Sequence, residues 1–246
     1  MNIRDERVAI PVVLIAGFFW SFGPLVIRYM DQPELVPWQY LFARGIVIFI
    51  VLNCYLYLNE GTNFISNYFK IGFSGIVGSI GLASAMMSFI WSITHTSVAV
   101  TLLCLAAMPL ITALLGFIFL REQISINTWI SIAIAAIGIA IMSFNNERIG
   151  TIDGLLYGLI SAIGFSIFSI SLRWRKDTPQ FTTVSLAGLI CTAVSLYMII
   201  QSNSIFFSSS KYLYDAFSFC FIVFCKNLCL CEPIKRWGVP FSRFVL

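Results

Sequence analysis

Charge is what this chain has least of. Asp, Glu, Lys and Arg make up 11% of its 246 residues, against about 25% in a typical soluble domain. No Asp or Glu falls inside any of its long apolar stretches. That disfavours proton-coupled export of cationic drugs, which needs a membrane-buried carboxylate. The 15 basic residues form no stripe interleaved with aromatics, and the net charge is a modest +4, so nucleic acid is not an expected partner. Histidine occurs once, as His95. Four of the seven cysteines, Cys220, Cys225, Cys229 and Cys231, crowd together late in the chain. Their spacing matches no zinc pattern and no histidine lies nearby. No metal, no cofactor and no catalytic residue is expected.

Continuous apolar sequence is what the chain has instead. Hydrophobic residues account for 59%. Seven apolar stretches follow one another, at 8–27, 38–58, 71–93, 97–120, 129–144 with its flanks, 154–172 and 181–200. A hydrocarbon core about 30 Å thick is crossed by about 20 residues of helix. Helices of soluble proteins need a polar face, and these stretches have none. The expected fold is therefore all-α, a polytopic membrane helix bundle whose partner is the lipid bilayer. Arg4 and Arg7 precede the first stretch as in a signal peptide. That stretch is too long for one and no small-x-small cleavage site follows, so a retained anchor is expected.

The connections are short and carry a charge bias. One side of the membrane would hold Arg4, Arg7, Lys70, Arg121, Arg173, Arg175 and Lys176, the other Arg28 and Arg148. Seven against two places the N-terminus in the cytoplasm by the positive-inside rule. A weak internal repeat appears at an offset of 145, where Leu14, Ile15, Ser21 and Arg28 align with Leu159, Ile160, Ser166 and Arg173. Five spans separate the copies, and an odd number turns the second copy upside down. Inverted repeats are common in secondary transporters, with the solute site at the repeat interface.

Small residues mark helix seams. Gly154, Gly158, Ala162 and Ser166 recur every four residues in the sixth stretch, and Gly72, Gly75, Gly78 and Gly81 every three in the third. Close helix packing is the main reading of both, and a lining for a solute path the sharper one. Pro109 lies within the fourth stretch and should kink it, since it lacks a backbone donor.

Four residues are candidates for the solute path: Trp20, Arg44, Trp91 and Pro109. Arg44 is the only charge well inside a span, about 10 Å from the helix start at 1.5 Å per residue. It either snorkels to the interface or faces a cavity or partner, where it would favour an anionic or zwitterionic solute. Trp20 and Trp91, on different helices, could contact an apolar or aromatic solute; interfacial anchoring is the alternative, and it weighs more for Trp91. Glu122 reads as an interfacial structural residue and His95 as a solvated loop residue. Gly72-Phe73-Ser74-Gly75 resembles the serine motif of intramembrane proteases. Ser74 and His95, however, lie about 30 Å apart along one helix, while a nucleophile and its base need about 3 Å.

The segment 96–142 reads TSVAVTLLCLAAMPLITALLGFIFLREQISINTWISIAIAAIGIAIM. Its small-residue start, Pro109, the Leu120-x-Glu122 turn, Ser125, Trp129 and Gly138 together resemble the closing part of an EamA domain of the drug/metabolite transporter superfamily. Gly17-Phe18-Phe19-Trp20-Ser21 resembles the first-helix signature of that family, and Phe42-Ala43-Arg44 its second-helix arginine. The resemblance implies one full five-helix unit over 8–144, the start of a second over 152–200, and an inverted five-plus-five plan. It also implies a carrier of small metabolites or amphipathic solutes in the inner membrane, an exporter working by alternating access, and not an enzyme.

The segment 201–246 departs from this pattern. Rich in Phe, Ser and Cys, it is expected to be out-of-frame or prematurely ended sequence; the competing reading is a genuine eighth span within 205–230. A homodimer is the arrangement by which an incomplete second unit could be completed. The alternative function is a non-transporting membrane scaffold or a defective truncated gene product.

Overall fold

The computed structural model describes residues 36–61, 64–121, 126–144, 152–175 and 179–201. The expected first span with Trp20, the turn with Glu122, the cysteine cluster and the whole of 202–246 lie outside these residues. Eight helices follow in order among them: α1 (Val36–Glu60), α2 (Phe64–Lys70), α3 (Gly72–His95), α4 (Val98–Ala106), α5 (Met108–Leu120), α6 (Ile126–Phe144), α7 (Ile152–Trp174) and α8 (Gln180–Gln201). Five segments are long and apolar enough to cross a membrane: Pro37–Asn59, Gly72–His95, Val98–Leu120, Ile152–Trp174 and Gln180–Gln201. The protein is an all-α, multi-pass membrane bundle, and the six expected spans that fall among the described residues coincide with its helices to within a few residues.

Helix α3 is the central element. It packs along α7 on one side and against α8 on another, while α1 lies along α8, α4 and α5 lie on α7, and α6 touches α5 at the edge. Two apolar clusters fill the α1–α3–α8 junction. One joins Ile48, Leu52 and Leu56 to Leu82, Ala83 and Met86 and to Phe181, Val184 and Ala187. The other joins Tyr40 and Leu41 to Phe89, Ile90, Ile93 and Cys191. Large apolar side chains such as Ile50, Leu58, Ile80, Ile134, Ile160 and Ile200 point outward, as they do where lipid is the solvent.

Lipid offers no hydrophobic drive between helices, so close packing and interhelical hydrogen bonds must hold them together. The antiparallel α3·α7 pair shows both, level by level. Phe73 meets Trp174 edge-on at 6.4 Å. Ser74 Oγ donates to the Ser171 carbonyl. Ser161 Oγ donates to the Ala85 carbonyl at 3.0 Å, and Ser92 Oγ to the Gly154 carbonyl at 2.8 Å. Between these levels the backbones touch: a Cβ on Gly164 would stand 2.6 Å from the Gly81 carbonyl oxygen and 2.9 Å from Ala85 Cβ. The glycine and serine seams read from the sequence are thus packing seams. Ser74, buried here, has an interhelical role, and His95 is exposed at the far end of the same helix.

The hairpin between the third and fourth spans is shorter than expected. Helix α3 runs through His95, Thr96 is extended, and the Ser97 hydroxyl caps α4 by accepting from the Val100 N–H at 3.3 Å. The two arms of this hairpin lie chiefly on α7 rather than on each other. Gly154 makes room for that docking, since a Cβ there would lie 2.7 Å from Thr96 Cβ.

The expected kink at Pro109 takes the form of a break. The fourth span divides at Ala107, whose N–H turns back to Cys104 at 3.1 Å, and Pro109 sits in the first turn of α5. A proline there costs little, because first-turn amides lack intrahelical partners. The break turns the Met108 carbonyl toward α7, where Ser166 Oγ donates to it at 3.1 Å.

Two substitutions test this packing. Gly164→Leu should destabilise the bundle by about 3 kcal/mol, the upper range for overpacking, seen as loss of the monodisperse folded peak in detergent. At Gly72 the backbone is left-handed (φ +63), with Arg175 Nη1 2.7 Å from where a Cβ would be. Gly72→Ala should lower thermal stability by about 1–2 kcal/mol, and more than Gly61→Ala, where φ is +60 but nothing lies within 4 Å.

Candidate functional site

The bundle has two chemically distinct ends. Lys70, Arg121, Arg173 and Arg175 stand at one of them, where α2 and the C-termini of α5 and α7 lie. Arg173 in the last turn of α7 and Asp153 in its first both suit the helix dipole. Arg121 closes α5 in a left-handed conformation (φ 54, ψ 34), its N–H returning to the Gly116 carbonyl.

The other end is aromatic. Trp91 meets Trp38 edge-on with ring centroids 5.4 Å apart, His95 at 5.3 Å and Tyr157 at 6.3 Å. His95 and Tyr157 are 5.9 Å apart, and His95 Nδ1 lies 2.9 Å from the Trp91 carbonyl oxygen. Three helices, α1, α3 and α7, supply this cluster. Sequence reading isolated Trp91 and His95 but missed Trp38 and Tyr157, because nothing local brings positions 38, 91 and 157 together.

Arg44 sits between the ends. It is only 4% exposed, so it is held inside the bundle and does not snorkel to the surface. Its guanidinium lies within electrostatic reach of the buried Cys191 thiol of α8, next to Ser195 one turn on. Cys191 Sγ approaches the Leu41 carbonyl oxygen at 3.9 Å. Ser195 is fully buried, one helical turn from Cys191. Of the cavity-or-snorkel alternatives for Arg44, burial decides for the interior.

Next to Arg44, α1 and α8 cross in backbone contact. A Cβ on Gly45 would lie 2.8 Å from the Gly188 carbonyl oxygen, and a Cβ on Gly188 would lie 3.0 Å from the Gly45 carbonyl oxygen. The contact is reciprocal and the helices run antiparallel: Leu41 faces Cys191, and Tyr55 faces Phe181. Gly188 follows Gly45 by 143 residues, two short of the 145-residue offset, so the two helices correspond in order but the two glycines are not repeat positions of one another.

Three of the four path candidates, Arg44, Trp91 and Pro109, fall among the described residues. Trp20 lies outside the described residues. Pro109 is exposed in the first turn of α5. Arg44 and Trp91 share the α1–α3–α8 region, near the Tyr40 and Phe89 cluster. Among the described residues no group of three or more His, Cys, Asp or Glu side chains comes together. The described cysteines are free thiols, Cys104 and Cys191 buried and Cys54 exposed.

Comparison with known proteins places this architecture. The sequence model of the EamA-like transporter family matches residues 7–144. An uncharacterized transporter of Bacillus subtilis (strain 168), YojE, is 23% identical over 218 residues, covering 83% of this chain and 68% of that protein. An uncharacterized transporter of Helicobacter pylori (strain ATCC 700392 / 26695) is 30% identical over 119 residues, 48% of this chain and 38% of that protein. Protein RarD of Escherichia coli (strain K12) is 22% identical over 172 residues, 67% of this chain and 55% of that protein. The chain thus spans between about two fifths and two thirds of the length of these relatives. On the family match and the helical architecture together, this chain belongs to the EamA-like transporter family of the drug/metabolite transporter superfamily, and is a multi-pass membrane protein of a transporter family.

Proposed function

We propose that this chain exports small metabolites or amphipathic solutes across the inner membrane by alternating access. The observation that carries the reading is the reciprocal crossing of α1 and α8 at Gly45 and Gly188. Two antiparallel helices, the second of each unit, that meet in a reciprocal glycine contact are what an inverted repeat would bring to its pseudo-two-fold axis. The two units, 8–144 and 152–200, would rock about this axis and open the path to each side in turn. A solute drives that exchange only through different affinities for the two states.

Arg44 lies beside the axis and gives the path its polarity. A buried guanidinium makes strong hydrogen bonds to carboxylates and phosphates, so the favoured solutes are anionic or zwitterionic. Trp91, with Trp20, would contact apolar parts of the solute. Pro109 would act indirectly, through the break that aims the Met108 carbonyl at α7. The end bearing Lys70, Arg121, Arg173 and Arg175 would face the cytoplasm by the positive-inside rule.

Two experiments test this reading. Proteoliposomes loaded with a cell metabolite extract should release a subset of anionic or zwitterionic solutes. Arg44→Ala should slow that release about tenfold or more, the scale of a lost charged hydrogen bond, and Arg44→Lys should recover part of it. Absence of flux for every solute, despite correct insertion, would return the chain to a non-transporting scaffold. Separately, cysteines placed at Arg121 and Arg173 should react with impermeant maleimide only from the cytoplasmic face. Labelling from the exterior would overturn the proposed orientation.

A further inference from the structure

Three side chains form a closed ring of hydrogen bonds at the cation-bearing end. Asn53 Nδ2 donates to Ser185 Oγ at 2.8 Å, Tyr68 O–H donates to Asn53 Oδ1 at 2.8 Å, and Tyr68 Oη lies 2.8 Å from Ser185 Oγ. The donors and acceptors close in one sense only: Asn53 to Ser185, Ser185 to Tyr68, Tyr68 back to Asn53. Asn53 Nδ2 also donates to the Phe49 carbonyl at 2.8 Å. A satisfied ring in a low-dielectric setting strengthens each member. It ties α1, α2 and α8 together.

Helix α2 is a short strap. It has only seven residues, no buried side chain, and packs chiefly on α1. Phe69 is 86% exposed. Phe64 rests against Tyr57 at 6.2 Å and on the apolar cluster beneath. Tyr68 reaches from this strap into the α1·α8 seam, eight residues and about 12 Å along α1 from the Gly45–Gly188 crossing. Beyond the crossing, the other half of the seam is closed by Tyr40, Leu41 and Cys191, largely through apolar contact. The seam thus has a backbone pivot, one end where the ring adds to the apolar packing of Leu52, Leu56 and Tyr55 on Phe181 and Val184, and another where Tyr40 and Leu41 meet Cys191.

We infer that Tyr68, Asn53 and Ser185 are the gate at the cation-bearing end of the transport path, with the Gly45–Gly188 crossing as its pivot. The inference rests on the transport reading above but not on knowing the solute. Opening that end requires the ring to break, because α1 and α8 cannot part while Asn53 and Ser185 are joined. The ring therefore holds the protein closed at this end and biases it toward opening at the aromatic end. The Tyr68 hydroxyl is a positioning group: it lies at the edge of the seam and acts by locking two helices.

Accessibility measures this directly. Val184, 9% exposed, lies under the ring in the α1–α3–α8 cluster. In a full-length chain whose only cysteine is Val184→Cys, alkylation by impermeant maleimide is followed in right-side-out and inverted vesicles, with Lys70→Cys marking the face. Tyr68→Phe should raise the rate from the Lys70 face about fivefold, the shift expected for one net hydrogen bond. A chain with Cys191 as its only cysteine should become less reactive from the opposite face, because opening one end closes the other. Ser185→Ala should act like Tyr68→Phe, and the double variant should add little, since both break one ring. Unchanged Val184→Cys labelling in both variants would refute the gate. So would an equal rise from both faces, or a rise at Ala85→Cys in the α3·α7 seam, either of which marks general loosening. Absence of solute flux with the reciprocal labelling intact would count against the transport reading and leave the gate standing.

Discussion

Hydroxyl-to-carbonyl hydrogen bonds across glycine-lined helix crossings are the interaction on which this fold depends. In lipid, apolar side chains gain nothing by leaving solvent for a neighbouring helix. What remains is van der Waals contact at short range and the pairing of polar groups that lipid cannot satisfy. Each such hydrogen bond contributes only about 0.6 kcal/mol on average, so several must act in register. Ser74, Ser92 and Ser161 do so along the α3·α7 pair, and Ser79 extends the pattern to α8 by donating to the Thr183 carbonyl at 3.0 Å. Glycine makes the register possible, because only a missing Cβ lets the carbonyls of Gly81 and Gly164 come this close to the partner backbone.

The same constraint separates rigid from movable parts. The α3·α7 pair is pinned at levels from Phe73 to Thr96 and should move as one body. The α1·α8 pair is different. Its closest backbone approach is at one crossing, with the Asn53–Ser185–Tyr68 ring and apolar packing on one side and the contacts of Tyr40, Leu41 and Cys191 on the other. Arg44, buried next to that crossing, is the one charge well inside a described span, since Asp153 and Arg173 stand in the end turns of α7.

Much of the fold was legible in the amino-acid order. Apolar runs of about 20 residues leave a chain few options other than membrane helices, and each described span matches its run. Charge counting sorted Lys70, Arg121, Arg173 and Arg175 to one end, and the structure places them at one end. The seams at Gly78, Gly81, Gly154 and Gly158 were also visible, since small residues at helical spacing have one main use. Pro109 marked the interruption but not its form. The break falls two residues earlier, at Ala107, because a proline is best tolerated in the first turn of a new helix.

The candidate site was legible only in part, for a different reason. Arg44 stood out because a charge inside an apolar run is costly wherever it points. Its burial against Cys191 depended on which face of α1 meets α8, and hydropathy that is apolar all round cannot specify a face. Tyr68, Asn53 and Ser185 lie 15 and 117 residues apart along the chain, and the aromatic end gathers Trp38, Trp91 and Tyr157 from three helices. Local order therefore determined that the chain threads a membrane, where each helix runs and which surfaces pack tightly. Which helices become neighbours was decided by the tertiary structure alone, because pairing depends on complementary shape between distant segments, and lipid exerts no force that would sort them beforehand.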